Sequence, residues 1–139
     1  MNTVKIRDIE IGAGAPKIIV PIVGVTKEDI IEEAKTFDSI PVDVVEWRVD
    51  WFEGVFDFAQ VEDTLKDLRA ALGNTPILMT FRTSKEGGEK AIEADAYAEL
   101  NKKAAATGLV DLVDVEAFTG DEVVKDIIEG AHADRKSVV

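Results

Sequence analysis

The sequence predicts an α/β fold in which parallel strands alternate with helices. Apolar runs of strand length recur along the 139 residues, and their starts lie about 25 to 35 residues apart, the size of one βα unit. Amphipathic stretches with helical spacing separate these runs. Near-continuous apolar strands are typical of a parallel sheet covered by helices. The strand-like runs are residues 18–23, 42–49, 77–81, 109–115 and 137–139.

Four helices are predicted between these runs. Thr26 with Asp29 predicts a capping box at the start of the first helix, and Thr119 with Glu122 predicts another at the start of the fourth. Gly73 is a natural residue to follow the end of the second. The predicted apolar stripes are Ile30, Ile31, Ala34 and Phe37 in the first helix, Val61, Leu65, Leu68 and Leu72 in the second, Ile92, Ala96, Leu100 and Ala104 in the third, and Val123, Val124, Ile127, Ile128 and Ala131 in the fourth.

The N-terminal segment does not follow this rhythm. Residues 3–12 alternate apolar and polar side chains with a period of two, which predicts an extra strand or hairpin that covers one end of the sheet. No linker is long enough to divide the chain. We therefore expect a single domain over residues 1–139, with a strand or hairpin region at 1–16 and βα units over 17–139.

Composition narrows the classes of function. The chain has 16 basic and 28 acidic residues and a net charge of −12, which argues against a nucleic-acid surface or a polybasic membrane anchor. The absence of cysteine excludes disulfides and thiolate metal sites, and the single histidine, His132, leaves little material for a histidine metal site or triad. The sequence shows no signal peptide and no apolar run long enough to span a membrane, so we expect a cytoplasmic protein.

Charged residues lie where strand interiors should be apolar. Strand alternation places them on one face of three successive strands, towards the C-terminal ends, where βα barrels and open doubly wound sheets bind ligands. Structural ion pairs are the alternative, because buried charges are unfavourable unless they are paired or used. Glu46, Arg48 and Arg82 are the strongest functional candidates, since two arginines and a carboxylate suit a polyhydroxylated carboxylic acid. The charged residues on this face are Glu46, Arg48, Asp50, Arg82, Asp114 and Glu116.

A glycine-containing loop follows the third of the parallel strands. Gly87 and Gly88 allow a positive φ or a close ligand approach, and Glu86 is placed where it could orient a catalytic group. A mobile surface loop is the alternative interpretation.

Three stretches resemble the type I 3-dehydroquinate dehydratases, the Schiff-base-forming family of the shikimate pathway. They are Glu46-Trp-Arg-Val-Asp50, residues 80–89 and residues 113–120, and residues 11–24 are similar too. The Glu-x-Arg-x-Asp and Phe-Arg-x-x-x-Glu-Gly-Gly-Glu patterns together are specific, and the resemblance covers nearly the whole chain.

The resemblance implies a lyase that converts 3-dehydroquinate to 3-dehydroshikimate and water. In this family a lysine forms an imine with the substrate ketone and a histidine moves the proton, without a metal or another cofactor. Glu46, Arg48 and Arg82 match the residues that hold the ring hydroxyls and carboxylate. Glu86 matches the acid that orients the histidine. The implied fold is the N-terminal half of a (βα)8 TIM barrel, with about four βα units, an incomplete fifth strand and an N-terminal β-hairpin.

The match stops before the family's catalytic segments. A barrel of this class needs about 250 residues, and the segments that carry the family's histidine and imine lysine do not occur in these 139 residues. His132 is expected near the end of the fourth helix, and Lys85 is the only lysine expected at the catalytic end. We therefore predict that this chain alone is inactive. The alternatives are a non-catalytic, self-associating half-barrel that at most binds ligand, or a different barrel lyase or isomerase with the same clamp.

The half-barrel architecture also predicts a partner. Four βα units leave two strand edges and one uncovered face, which we expect to be apolar and to recruit a second copy. The expected partners are 3-dehydroquinate and a homodimer or higher assembly through the open barrel face, with no nucleic acid and no membrane.

Overall fold

The structure, a computed structural model, describes residues 2–139 as a parallel sheet, four helices and an antiparallel hairpin. This confirms the predicted α/β half-barrel, with four βα units, a fifth strand and an N-terminal hairpin. The strands are β1 (Val4–Ile6), β2 (Ile9–Ile11), β3 (Ile19–Ile22), β4 (Val44–Arg48), β5 (Ile77–Thr80), β6 (Leu112–Val113) and β7 (Ser137–Val138). The helices are α1 (Lys27–Thr36), α2 (Phe58–Leu72), α3 (Ala94–Ala106) and α4 (Asp121–Ala133).

The five strands β3 to β7 lie side by side in chain order and are all parallel. One helix connects each strand to the next, as in a row of βα units. All four helices share one apolar core with the same face of the sheet. This core includes Val45, Trp47, Met79 and Val113 from the strands, and Ile30, Leu65, Ala104 and Ile127 from the helices.

The helix ends show where local signals succeed and fail. The capping box of α1 is confirmed, because the Thr26 hydroxyl accepts from the Asp29 N–H at 3.1 Å and the Asp29 carboxylate accepts from the Thr26 N–H. The predicted capping box of α4 is wrong. The Thr119 hydroxyl donates to the carbonyl of Glu116 at 2.8 Å, and α4 begins after Gly120 without a side-chain cap.

The buried face of α3 also differs from the prediction. The helix begins at Ala94, so Ile92 precedes it, and Ala96 is exposed. Its buried residues are Tyr97, Ala98, Leu100, Asn101, Ala104 and Ala105.

The hairpin of β1 and β2 covers the N-terminal end of the sheet face that the helices leave open. Ile6 is 6% exposed and packs in a second apolar cluster with Val44, Leu78 and Leu112, one from each of three parallel strands. The predicted covering role of the N-terminal segment is therefore confirmed.

An ion network ties the hairpin to the bottom of the sheet. Asp111 lies between two guanidiniums, with Arg7 Nε at 2.8 Å and Arg69 Nη2 at 2.7 Å, and it also accepts from the Ile77 N–H. The remaining Arg69 donors contact the carbonyls of Gly73, Thr75 and Leu109. Burial lowers the pKa of Arg69, even though Asp111 opposes this shift.

The expectation of one uncovered apolar face is wrong for most of that face. Its apolar bottom lies under the hairpin, and charged side chains occupy the part above. Exposed apolar side chains lie along the edge strand β3 and at the residues that flank it. Ile18 and Ile19 are about half exposed, and Val23 is 39% exposed. The backbone of this edge is restricted, because Pro21 has no N–H and Glu33 accepts from the Val23 N–H at 3.2 Å.

Within residues 2–139, no helix is long and apolar enough to cross a membrane. The cytoplasmic location stays a prediction.

Candidate functional site

The candidate site lies on the open face of β4, β5 and β6, above the apolar layer that the hairpin covers. Alternation along each strand points every second side chain towards this face. Its polar side chains are Glu46 and Arg48 from β4, Thr80 from β5, and Arg82, Asp114 and Glu116 from the positions just after β5 and β6.

Asp50 holds Arg48 from the turn that follows β4. The strand ends at Arg48, and a 3-10 turn over Val49–Trp51 brings the Asp50 carboxylate back against the guanidinium. The contact is bidentate, with Nε–Oδ1 at 2.9 Å and Nη2–Oδ2 at 2.8 Å. Burial alone would raise the pKa of Asp50, but the hydrogen bonds from Arg48 and from two backbone N–H groups lower it below its usual value.

Glu46 and Arg48 keep polar atoms free for a ligand. The Thr80 hydroxyl donates to Glu46 Oε2 at 2.9 Å, which fixes the carboxylate. In the described part of the chain, Glu46 Oε1 and Arg48 Nη1 make no protein hydrogen bond. The site therefore presents an acceptor and a charged donor beside each other on an open face.

Arg82 lies among three carboxylates. Its Nη1 is 3.1 Å from Glu116 Oε1 and 3.5 Å from Glu86 Oε2, and its Nη2 is 3.3 Å from Asp114 Oδ2. Burial by itself would lower the pKa of Arg82, but Asp114 and Glu116 outweigh it and raise the pKa. Burial raises the pKa of Asp114, and Arg82 offsets only part of this effect.

Glu116 anchors the start of the loop after β5. It is 5% exposed and accepts from both the backbone N–H and the hydroxyl of Thr83, at 2.9 and 2.8 Å. Tyr97 supports Glu116 from α3, because its hydroxyl accepts from the Glu116 N–H at 3.0 Å and donates to the Asp114 carbonyl at 3.2 Å. Burial raises the pKa of Tyr97 to about 12.

Backbone hydrogen bonds hold the two ends of the loop over residues 83–90 together. The Ser84 N–H donates to the Lys90 carbonyl at 2.9 Å, and the Gly88 N–H donates to the Thr83 carbonyl at 2.8 Å. Gly87 has a φ of 84°, and a Cβ at Gly88 would lie 1.7 Å from the Arg82 carbonyl oxygen. Glycine is therefore required at Gly88 by space and favoured at Gly87 by conformation.

A cavity of about 370 Å³ opens beside this loop at the C-terminal end of the sheet. Glu86 and Glu116 line it, together with Phe118, which is 95% exposed. The other lining residues are Thr83, Ser84, Lys85, Ala91, Ile92, Ala94, Tyr97 and Thr119.

The four predicted site residues fall at one end of the sheet. Glu46 and Arg48 lie side by side on the open face of β4, and Glu86 Oε2 lies 3.5 Å from Arg82 Nη1. His132 is exposed in the last turn of α4, and Lys85 is exposed in the loop. The expectation that Lys85 is the only lysine at this end is wrong, because the Lys90 ammonium donates to the carbonyls of Asp50 and Phe52 in the turn after β4. No cluster of three or more potential metal ligands occurs in residues 2–139.

Asp50, Asp114, Glu116 and Thr80 belong to the site but had no predicted functional role. Alternation placed all four on the open face, but it gave no sign of which carboxylate pairs with which arginine. The available signal was the position of Asp50 two residues after Arg48 and of Glu116 two residues after Asp114.

Comparison with known proteins gives the same family from sequence and from structure. A family model described as Type I 3-dehydroquinase matches residues 18–139. A 3-dehydroquinate dehydratase of Listeria monocytogenes is 51% identical over 139 residues, and one of Clostridium botulinum is 47% identical over 136 residues. These alignments cover 100% and 98% of this chain but 55% and 54% of the relatives.

Solved structures agree. The chain superimposes with a TM-score of 0.97 on the type I 3-dehydroquinate dehydratase of Clostridium difficile, crystallised with covalently modified comenic acid. The sequences are 47% identical, and the match covers 99% of this chain and 54% of that one. The enzyme of Geobacillus kaustophilus gives a TM-score of 0.94 at 30% identity, over 99% and 53% of the two chains.

The chain spans about half the length of the curated relatives it matches. With the fold, the arginine and carboxylate face and the match over residues 18–139 in agreement, the chain belongs to the type I 3-dehydroquinase family.

Proposed function

We propose that this chain supplies the substrate-holding half of a 3-dehydroquinate dehydratase site. The observation that carries the proposal is the pair of free polar atoms, Glu46 Oε1 and Arg48 Nη1, on an open face next to Arg82. A carboxylate oxygen accepts from ring hydroxyls, and guanidinium groups donate to hydroxyl or carboxylate oxygens. In this proposal Glu46, Arg48 and Arg82 hold the substrate, and Glu86 positions the catalytic histidine of the family.

The reaction proposed for the whole protein is the dehydration of 3-dehydroquinate to 3-dehydroshikimate. A lysine amine adds to the ketone and releases water to form an imine, and a base removes a proton from the adjacent carbon. The neighbouring hydroxyl then leaves as water with that proton, and hydrolysis of the imine restores the lysine. The names of the relatives support this assignment.

The 139 residues alone are proposed to bind the substrate without dehydrating it. His132 lies in the last turn of α4, and α4 leads into the N-terminal end of β7, away from the strand ends that carry Arg48 and Arg82. Lys85 lies exposed in the 3-10 turn of the loop after β5. Neither residue is placed as the family's proton carrier or imine former.

Binding can be tested by titrating the isotopically labelled chain with 3-dehydroquinate and following amide shifts around Arg48. Removing a charge-assisted hydrogen bond should weaken binding by about tenfold or more, so Arg48→Ala and Arg82→Ala should each lose that much affinity. Lys125→Ala is the matched control, because Lys125 is exposed on α4. Binding that both arginine substitutions leave unchanged would remove the assignment.

The absence of catalysis has a separate test. The chain is incubated with 3-dehydroquinate and borohydride, which would trap an imine, and the intact mass is measured. We expect the unmodified mass. A stable adduct would show that a lysine of this chain forms the imine after all.

A second candidate is a half-barrel that associates with itself, as a homodimer or higher assembly. The observation that favours it is the row of exposed apolar side chains along the edge strand, including Ile18, Ile19 and Val23. Light scattering at low micromolar concentration measures this directly. A compact monomer would contradict it, and the net charge of −12 predicts that added salt promotes association.

A further inference from the structure

We propose that Asp50 and Lys90 form a positioning pair that places Arg48 and docks the 83–90 loop at the same time. Through this pair, the orientation of Arg48 and the location of Glu86 depend on one buried carboxylate. The binding readout below rests on the proposed function, whereas the other two readouts do not.

The Asp50 carboxylate has its hydrogen-bonding capacity filled by the protein. Oδ1 accepts from Arg48 Nε at 2.9 Å and from the Arg82 N–H at 3.2 Å. Oδ2 accepts from Arg48 Nη2 at 2.8 Å and from the Glu89 N–H at 3.2 Å. Asp50 is 0% exposed, so a ligand on the open face cannot contact it. Its role is therefore to hold other groups rather than to bind substrate.

Arg82 and Glu89 lie on either side of Glu86 in the chain. Because both N–H groups donate to one carboxylate, Asp50 fixes the entry and the exit of the loop that carries Glu86. The close approach of Gly88 to the Arg82 carbonyl shows how tightly the two ends are held together. Replacing the Asp50 carboxylate should therefore alter the positions of both Arg48 and Glu86.

Lys90 holds Asp50 itself in place. Its ammonium donates to the carbonyl of Asp50 at 2.6 Å and to the carbonyl of Phe52 at 3.1 Å, across the 3-10 turn that aims the Asp50 side chain. The Lys90 backbone carbonyl also accepts from Ser84, at the start of the loop. Lys90 thus connects the turn after β4 to both ends of the loop after β5.

The main variant is Asp50→Asn, which keeps the shape of the side chain. An amide group replaces one carboxylate oxygen, so a donor faces donors on that side of the contact. Glu53→Gln is the matched control, because it removes an exposed carboxylate from the same segment. Lys90→Met removes the ammonium and retains an apolar stem, and Lys90→Arg restores donors to the two carbonyls.

Three readouts are compared: hydrogen exchange at the Arg82 and Glu89 amides, exchange of the Arg48 Nε–H, and affinity for 3-dehydroquinate. Asp50→Asn and Lys90→Met should speed exchange at these sites by about tenfold or more and weaken binding by a similar factor, since charge-assisted contacts are lost. Lys90→Arg should recover most of the protection and affinity. Glu53→Gln should change none of the readouts.

Unchanged exchange in both Asp50→Asn and Lys90→Met would overturn the proposal. Faster exchange with unchanged affinity, when Arg48→Ala loses binding, would overturn the positioning role and leave only a stabilising contact. If Asp50→Asn does not fold, the comparison of Lys90→Met with Lys90→Arg decides the same question. If the unsubstituted chain does not bind 3-dehydroquinate, the proposed function fails, and the exchange readouts still judge the positioning pair.

Discussion

Arg69 and Arg82 lie at opposite ends of the same sheet and have opposite relations to their partners. At the bottom, one carboxylate, Asp111, lies between two guanidiniums, and the other Arg69 donors contact carbonyls. At the top, Arg82 is surrounded by three carboxylates. At the bottom, every Arg69 nitrogen and both Asp111 oxygens are paired within the protein, while the top carries excess negative charge on an open face.

This difference is the one expected between a stabilising network and the proposed binding site. A network whose donors and acceptors are all paired within the protein stabilises one arrangement. Groups left with free capacity cost stability and are retained where they bind something. Substitutions at the bottom should therefore lower stability most, and substitutions at the top should affect binding with smaller effects on stability.

The largest effect is expected for Asp111→Ala. It leaves Arg7 and Arg69 beside each other without their shared partner, and removing one member of a buried ion pair costs about 3–5 kcal/mol. Urea unfolding at pH 7 measures the loss. A loss of unfolding free energy below about 1 kcal/mol would show that the bottom network contributes little. If the two ends of the sheet are independent, the folded variant should bind 3-dehydroquinate as the unsubstituted chain does.

Leu78→Ala should come next, with a loss of about 3 kcal/mol, because it leaves a cavity under the hairpin. Leu78 is 4% exposed and packs with Ile6, Val44 and Leu112. Val4→Ala in the same hairpin region is the control, since Val4 is 46% exposed. Equal losses of unfolding free energy in the two variants would contradict the close packing of Leu78 under the hairpin.

Asp50→Asn should cost about 2 kcal/mol at pH 7, the scale of hydrogen bonds to a charged group. The folded pKa of Asp50 is lowered, so its contribution is present above the unfolded value of about 3.9 and is lost as pH falls through the folded pKa. The difference in unfolding free energy between the variant and the unsubstituted chain should therefore become smaller below about pH 4. A difference that stays constant from pH 7 to pH 3 would place the cause elsewhere.

Asp114→Asn should have the smallest effect on stability, a loss of no more than about 1 kcal/mol at pH 7. The folded pKa of Asp114 is raised by burial, so ionisation disfavours the folded state as pH rises from the unfolded value through the folded pKa. The stability of the variant relative to the unsubstituted chain should accordingly increase from acid to neutral pH. Thermal unfolding over this range gives the sign, and a loss that grows with pH would refute it.

Much of the fold was predictable because apolar periodicity and strand spacing are local and repeated. One exception arose where a side chain had two possible partners. The Thr119 hydroxyl could cap α4 or bond to the Glu116 carbonyl, and the fold selects the second. The open face was expected to be apolar, although the charged residues placed on it in the sequence already contradicted that expectation.

The candidate site was predictable as a set of residue types and not as a network. The sequence placed Glu46, Arg48 and Arg82 on one face. It could not show that a 3-10 turn redirects Asp50 onto Arg48, because that contact depends on the loop that covers the turn. The Arg48→Ala and Arg82→Ala variants test the proposed binding roles.

The edge strand β3 shows how a half-barrel limits the growth of its own sheet. In the parallel pairing of β3 with β4, the backbone groups of Ile18 and of every second residue after it bond to β4. The backbone groups of residues 19, 21 and 23 therefore face outward. Pro21 offers no donor there, and Glu33 already occupies the Val23 N–H. An incoming strand would meet exposed apolar side chains but an interrupted ladder, so this edge is a poor template for fibril-like stacking.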